Sequence, residues 1–241
     1  MITPLRADDG TVTHFLGIQA ERSEDAGAEK RARDLDESLR EVQHRVKNHL
    51  SMLLSLIRLE ARNAKDVRAS LSVLANRVEA LNLLYEEFAN GNRSKDGKGT
   101  VALGAYVSRV CSALNMLDGP REVRMNLQTD RVRANIDAAS QIGLLVSELL
   151  TNSLQHAFDG EAQGLVEVRL WNSEDDGTVC LQVADNGSGI PDDCNRPQEG
   201  NLGARIVRDL VARVNGDLSV ESDSAGTNIT IAIPAAALEP A

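Results

Sequence analysis

The chain has 241 residues, 42% of them hydrophobic and 26% charged, which is typical of a folded globular protein. Its net charge of −10, with one Trp, two Tyr and three Phe, argues against a nucleic-acid-binding protein, which normally carries a basic patch and stacking aromatics. No segment approaches the about 18 consecutive apolar residues of a membrane span. The three cysteines lack the spacing of a zinc or disulfide framework, so we expect a reducing, cytoplasmic compartment.

Two short strands are predicted at the N-terminus, Ile2–Leu5 and Val12–Ile18, around an Asp-Gly turn at residues 8–10. Because an isolated hairpin is only marginally stable, we expect residues 1–20 to belong to a larger domain. Residues 21–34 are almost wholly polar, which favours a solvated helical connector.

Two amphipathic helices follow, which we assign to a domain at residues 35–90. Apolar residues at steps of three and four predict the first helix, within residues 30–62. The second, at 66–89, carries a strict heptad seam: Val67, Leu71, Leu74, Val78, Leu81, Tyr85 and Phe88. The short break at 62–65 predicts an antiparallel hairpin. The seam could pair with a second copy in a homodimer, or the hairpin could fold against its own chain.

Residues 90–100 have the composition of a linker, and we place a domain boundary there. In the second domain, residues 101–241, three helices are predicted at 101–116, 137–157 and 203–214. Five strands are predicted at 122–127, 165–172, 178–184, 217–222 and 227–233. This pattern predicts an α+β fold with a sheet covered by helices on one face.

His44 is the first candidate for chemistry. It lies between stripe residues Val42 and Val46 and therefore points away from the seam. An exposed imidazole is largely unprotonated and nucleophilic near neutral pH. Arg45 and Lys47 could meet incoming phosphate charge. From position alone, an ordinary surface histidine is the favoured interpretation.

A second candidate constellation is Glu148, Asn152 and His156, which repeat every four residues and so share one helix face. An amide oxygen facing a nucleotide can hold Mg²⁺, and a carboxylate one turn away can take a proton. The alternative is a plain polar face on a helix whose other side is core.

Three glycine-containing segments follow. Asp185–Gly189 comes directly after an alternating strand, and its glycines let the backbone approach a ligand closely. Gly200–Gly203 opens a helix whose N-terminus is suited to phosphate. Ala225–Thr227 has the composition of a hairpin turn. Each segment taken singly is weak evidence for a ligand site, because an ordinary turn or loop has the same composition.

The order and spacing of these motifs resemble the ATP-binding domain of histidine kinases, which shares its fold with gyrase-type and Hsp90-type ATPases. Glu148 to Asn152 resembles the N box. The three glycine boxes are similar to Asp185–Gly189, Gly200–Gly203 and Gly226-Thr227. His44-Arg45-x-x-Asn48 resembles the H-R-x-x-N phosphoacceptor signature of the HisKA_2 and HWE group. The N-terminal hairpin is similar to the last hairpin of a PAS or LOV sensor domain.

This resemblance implies a sensor histidine kinase of a two-component system. ATP and Mg²⁺ would be bound, His44 phosphorylated, and the phosphate passed to an aspartate of a response-regulator receiver. For the transfer step, the resemblance implies acid–base catalysis by Glu148 and phosphate contacts by Arg45, Lys47 and Asn48. At the phosphate end of ATP it implies Mg²⁺ binding by Asn152, nucleotide contact by His156 and a phosphate lid at Leu202 and Gly203. At the adenine end it implies recognition of adenine by Asp185, space for the base at Gly187 and Gly189, and support by Thr227.

Two other functions fit the same residues. In an ATPase, Glu148 would activate water, as the gyrase-like branch does. In a non-catalytic adaptor, the seam would pair and the nucleotide domain would only fold. Gln155, where the family often has Lys, and the unusual lid segment keep this alternative open. Nucleotide binding separates the adaptor from the other two, and acid-labile phosphate on His44 separates the kinase from the ATPase.

Overall fold

The computed structural model describes residues 2–6, 11–17, 46–55, 57, 67–91, 100–117, 122–158, 163–173, 177–190 and 202–239. Contacts divide the chain into two compact units, residues 1–47 and 48–241. In the first unit, β1 (Ile2–Arg6) pairs antiparallel with β2 (Val12–Gly17), and Ile2 lies opposite Gly17. The two predicted N-terminal strands are confirmed, whereas the predicted turn at 8–10 and connector at 21–34 lie outside the described residues.

The predicted helical hairpin is described in part. Residues 46–55 form helix α1, with residue 57 also helical, and α2 spans Val67–Gly91, as the heptad pattern predicts. His44, Arg45 and the predicted break at 62–65 lie outside the described residues, as do residues 92–99 of the predicted linker.

A five-stranded sheet forms the base of the larger unit, with the strand order β4-β6-β7-β9-β8. Its strands are β4 (Glu122–Thr129), β6 (Gln163–Asn172), β7 (Thr178–Asp185), β8 (Asp217–Asp223) and β9 (Gly226–Pro234). Only the β4–β6 pair is parallel. Buried residues alternate along β6 and β7, as expected for a sheet with one face in the core. The predicted α+β fold is confirmed.

A second, two-stranded sheet was not predicted. It pairs β3 (Thr100–Ala102) with β5 (Arg133–Asn135), and buried Val101 lies opposite Ala134. The prediction of a helix beginning at 101 is therefore wrong at its first two residues, because α3 spans Leu103–Leu117. Strands of three residues are too short to show an alternating pattern, and pairing with a distant segment decides their conformation.

Helix α4 (Ile136–Asn152) is the centre of the helical layer and packs against α2, α3 and α5 (Leu202–Arg213). Asn135 caps its N-terminus, since the Asn135 side chain accepts a hydrogen bond of 2.8 Å from the amide of Ala138. The same side chain donates to the carbonyls of Ala237 and Glu239, next to the short helix α6 (Ala235–Leu238). These contacts fix where α4 begins.

Helix α2 packs on α4 and α3 of its own chain. The buried face consists of Arg77, Ala80, Leu81, Leu83 and Leu84. Of the predicted heptad seam, Leu81 is buried, whereas Leu71 and Val78 are 60% and 51% exposed. The two alternatives for the hairpin are therefore not exclusive, because one face of α2 packs on its own chain while part of the seam stays open.

Candidate nucleotide-binding site

Asp185 ends strand β7, opposite Thr227 at the start of β9. Its carboxylate accepts three hydrogen bonds. Ser153 Oγ donates to Oδ2 at 2.8 Å, while the amides of Gly187 and Thr227 donate to Oδ1 at 3.1 and 3.3 Å. Backbone donors from two strand ends and a hydroxyl from the helix layer thus hold the carboxylate in one orientation at the sheet edge.

Glycines allow the chain to pass close to this carboxylate. A Cβ on Gly226, where φ is +138°, would lie 2.0 Å from the carbonyl oxygen of Asp185. A Cβ on Gly187 would lie 2.2 Å from the carbonyl oxygen of Ala157. At Gly189, a Cβ would lie 2.0 Å from the carbonyl oxygen of Asp223. Neighbouring backbone therefore lies close to all three glycines, and these close approaches bring β7, β9 and the end of the helix layer together. The predicted role of Gly187 and Gly189 in making room for a base stays a prediction.

The predicted helix at 137–157 changes its winding at Asn152. Residues Ser153–Ala157 form a π-helical turn, a feature often found at functional sites. Asn152 is half-buried at the junction, and the next residue is the Ser153 that bonds Asp185. His156 is exposed. The structure thus brings Asn152 and Asp185 into one neighbourhood through Ser153.

Glu148 lies one turn before Asn152 but faces helix α2. It is 4% exposed, and its Oε1 accepts a hydrogen bond of 2.5 Å from Nε of Arg77, which is 1% exposed. Glu148, Asn152 and His156 therefore differ in surroundings although they repeat every four residues: the first is in a buried ion pair, the second half-buried and the third exposed. In this conformation the Glu148 carboxylate faces Arg77 of α2.

Helix α1 also contacts the helical layer. His49 is 3% exposed, and its Nδ1 lies 2.8 Å from the hydroxyl of Tyr85, while its Nε2 lies 3.7 Å from a carboxylate oxygen of Asp137. Lys47 and Asn48, two of the predicted phosphate-facing residues, are exposed. His49 therefore joins α1, α2 and the first turn of α4.

The predicted phosphate lid is described from Leu202, where α5 begins. Gly203 is half-buried in the first turn of that helix. Gly200 and Asn201 lie outside the described residues. Since no described contact joins Gly203 to Asp185 or Asn152, its role in the lid remains a prediction.

Two polar residues of this region were missed from the sequence. Ser153 follows the N-box Asn152, and Ser222 Oγ accepts a hydrogen bond of 2.8 Å from the amide of Ile190 and lies 3.2 Å from Thr227 Oγ1. Neither serine belongs to a recognisable motif. Ser153 bonds Asp185 and Ser222 bonds Ile190, partners more than thirty residues away in the sequence. Only their position beside a predicted motif could have marked them.

Comparison with known proteins identifies the family. The model of the histidine kinase-, DNA gyrase B- and HSP90-like ATPases matches residues 137–237, and the HisKA_2 histidine kinase model matches residues 41–117. The blue-light-activated histidine kinase 2 of Erythrobacter litoralis is 43% identical over 97% of this chain and 67% of that protein. The sensor histidine kinase PdtaS of Mycobacterium tuberculosis is 30% identical over 83% of this chain and 40% of that protein.

A solved structure agrees with these relatives. The histidine kinase domain of the Erythrobacter litoralis EL346 blue-light-activated histidine kinase superposes with a TM-score of 0.67 at 44% identity, covering 85% of this chain and 97% of that domain. The chain therefore belongs to the histidine kinase family and is an ATP-dependent histidine kinase. None of the described helices has the length and apolar character of a transmembrane segment.

Proposed function

We propose that this chain is the kinase part of a sensor histidine kinase that phosphorylates its own His44 from ATP and passes the phosphate to a response-regulator aspartate. The observation that carries the proposal is the fixed carboxylate of Asp185, which is held in part by Ser153, the residue after the N-box Asn152. The H-R-x-x-N sequence at His44 supplies the acceptor, within the segment that matches HisKA_2.

Asp185 fits the adenine end of ATP. A carboxylate has about four hydrogen-bond acceptor positions. Ser153, Gly187 and Thr227 use three of them, two on Oδ1 and one on Oδ2. The remaining position on Oδ2 suits the exocyclic amino group of adenine, which donates, and not the carbonyl of guanine, which accepts. Thr227 supports the base next to it, and selection of ATP over GTP follows from this difference.

Asn152 fits the phosphate end. Among the described residues, no three His, Cys, Asp or Glu side chains cluster as metal ligands. Mg²⁺ in kinases is commonly held by one or two protein oxygens together with the phosphates of the nucleotide, so one half-buried amide suits it. When bound, Mg²⁺ would offset the phosphate charge. His156 would line the nucleotide, and Leu202 and Gly203 would begin the lid over the phosphates.

In the proposed reaction, an imidazole nitrogen of His44 attacks the γ-phosphorus of ATP. An N–P bond forms, the P–O bond to ADP breaks, and Glu148 accepts the proton that the imidazole loses. Arg45 and Lys47 stabilise the negative charge on the transferred phosphoryl group, and Asn48 donates a hydrogen bond to it. The aspartate of a receiver domain then takes the phosphoryl group from His44.

The remaining parts of the chain supply regulation in this proposal. Residues 1–20 are the last hairpin of a PAS- or LOV-like sensor domain, and residues 21–34 connect it to the hairpin domain at 35–90. The ATP-binding domain comprises residues 101–241. The antiparallel β1–β2 pair is consistent with such a hairpin. Leu50 and Leu54 of α1 and Leu71 and Val78 of α2 are exposed apolar side chains, and we assign to them the pairing of two copies.

Incubation with γ-labelled ATP tests the proposed function. The wild-type chain, incubated with γ-labelled ATP and Mg²⁺, should acquire label that is lost in acid and stable in alkali. His44→Ala should abolish this label, whereas His14→Ala, a matched change in the N-terminal hairpin, should leave it. Equal release of free phosphate by wild type and His44→Ala, with no label on either, would establish an ATPase instead.

Sedimentation analysis of Leu71→Glu against wild type tests pairing through the exposed seam.

A further inference from the structure

Arg77 has no role in the proposed reaction, yet it is the partner of the carboxylate that the reaction needs. Both members of the Arg77–Glu148 pair are almost fully buried, and Nε lies 2.5 Å from Oε1. Burying two charges is unfavourable unless they are paired in a well-defined geometry. This energetically unfavourable burial of charge therefore involves Glu148, the residue that we propose accepts the proton of His44.

Further polar contacts fix the position of α2 around this pair. Asn76 Nδ2 donates to Thr151 Oγ1 at 3.3 Å, and the hydroxyl of Tyr106 donates to the carbonyl of Ala80 at 2.9 Å. On the surface, Arg109 of α3 forms ion pairs with Glu86 and Glu87 of α2. Helix α2 is thus docked on the helix that carries the N box, where it contacts Glu148 and Thr151.

In the docked arrangement the Glu148 carboxylate is already occupied. Glu148 is 4% exposed, and its Oε1 accepts a hydrogen bond from the guanidinium group of Arg77, so a second partner could reach it only if this contact changed. His49, five residues after His44 in the sequence, contacts Asp137 in the first turn of α4. Glu148 lies about three helical turns further along α4.

We propose that Arg77 is a latch, a positioning residue that holds Glu148 in an inactive state until α2 shifts and His44 replaces Arg77 as the partner of the carboxylate. This inference rests on the proposed role of Glu148 in phosphorylation of His44. In this proposal, the contact between α2 and α4 controls whether Glu148 can take part in phosphorylation of His44. A latch predicts that fixing α2 in place stops phosphorylation, whereas weakening the ion pair accelerates it.

Cross-linking α2 in the docked position is the first test. Glu86→Cys and Arg109→Cys, introduced together with Cys180→Ser and Cys194→Ser, place two accessible thiols across the α2–α3 contact. Cys111 can remain, because burial raises its thiol pKa to about 12 and keeps it unreactive. A short bismaleimide should abolish the acid-labile label while ATP binding persists. The same variant treated with a monofunctional maleimide should be labelled at the wild-type rate or faster, since it lacks the Glu86–Arg109 ion pair but has no cross-link.

Substitution of Arg77 is the second test. Arg77→Met removes the charge at similar volume and should raise the rate of His44 labelling, by up to about tenfold if the competent state is populated to about 10%. Arg77→Lys keeps the charge and should stay near the wild-type rate. If Arg77→Met does not fold, the cross-link decides alone.

The outcomes separate the latch from the proposed function. Full labelling of the cross-linked chain, or slower labelling of a folded Arg77→Met with normal ATP binding, would overturn the latch and leave the kinase standing. Absence of acid-labile label from every form, wild type included, would overturn the proposed function itself.

Discussion

Two places near the C-terminal end of the N-box helix α4 are connected to the rest of the unit in different ways. At its C-terminal end, Asp185 is held by backbone amides, and close backbone approaches at Gly187 and Gly226 surround it. One turn earlier, Glu148 is held by the side chain of a single residue on α2. Contacts built from backbone have one arrangement, whereas a side chain can exchange one partner for another. We therefore expect the adenine end to be rigid and the α2 contact to be the movable part.

Breaking the buried ion pair should have the largest effect on stability. Arg77→Ala leaves the Glu148 carboxylate buried without its cation, which costs about 3–5 kcal/mol of unfolding free energy, measured by urea denaturation. The double variant Arg77→Met/Glu148→Leu should recover most of that loss, because it buries no charge. If the single and double variants were equally destabilised, the loss would lie in packing rather than in the unpaired charge.

Substituting Gly226, which passes close to Asp185, should have the second largest effect on stability. Gly226→Ala places a Cβ against the Asp185 carbonyl at a strained φ, so we expect a loss of about 3 kcal/mol and of ATP binding. Gly177→Ala is the matched control, since its φ is also positive but no atom lies within 4 Å of the added Cβ. It should cost only about 1–2 kcal/mol and leave ATP affinity unchanged. Calorimetry of ATP binding and thermal unfolding would measure both, and equal effects would contradict a rigid adenine end.

Removing the hydroxyl donor to Asp185 should have a smaller effect. Ser153→Ala deletes a 2.8 Å hydrogen bond to a charged group that is half-buried, worth about 1–2 kcal/mol. The carboxylate would lose part of its orientation, so the Kd for ATP should rise while the preference over GTP falls. Ser188→Ala changes an exposed serine close by and should alter stability by less than about 0.5 kcal/mol. An unchanged nucleotide preference in Ser153→Ala would show that the amides alone orient Asp185.

The surface ion pairs between α3 and α2 should contribute least to the free energy of unfolding. Arg109 and Glu86 are both substantially exposed, so Arg109→Ala should cost at most about 1 kcal/mol, and less in high salt. Urea denaturation at low and high ionic strength measures this. A loss as large as that of Arg77→Ala would mean that the position of α2 depends on its surface and not on the buried pair.

Much of the fold could be predicted because its elements have strong local patterns. The alternation along β6 and β7 and the heptad spacing of α2 set the type and approximate bounds of these elements. The two three-residue strands β3 and β5 could not be predicted, since they contain too few residues for any period. The change to a π-helical turn at Ser153 has no periodic signal either, and it separates the surroundings of Asn152 from those of His156.

The sequence by itself determined the class of protein, because the H-R-x-x-N signature and the spaced boxes around Asn152 and Asp185 are local in the chain. Only the tertiary structure decided which partners these residues have. The heptad pattern of α2 marks an apolar stripe but not what covers it, and in the folded chain Arg77 is buried while Val78 is exposed. Whether a charged side chain is buried depends on the residue that faces it from another helix, here Glu148, seventy-one positions away. No local pattern contains that information, since the two residues meet only when α2 packs on α4.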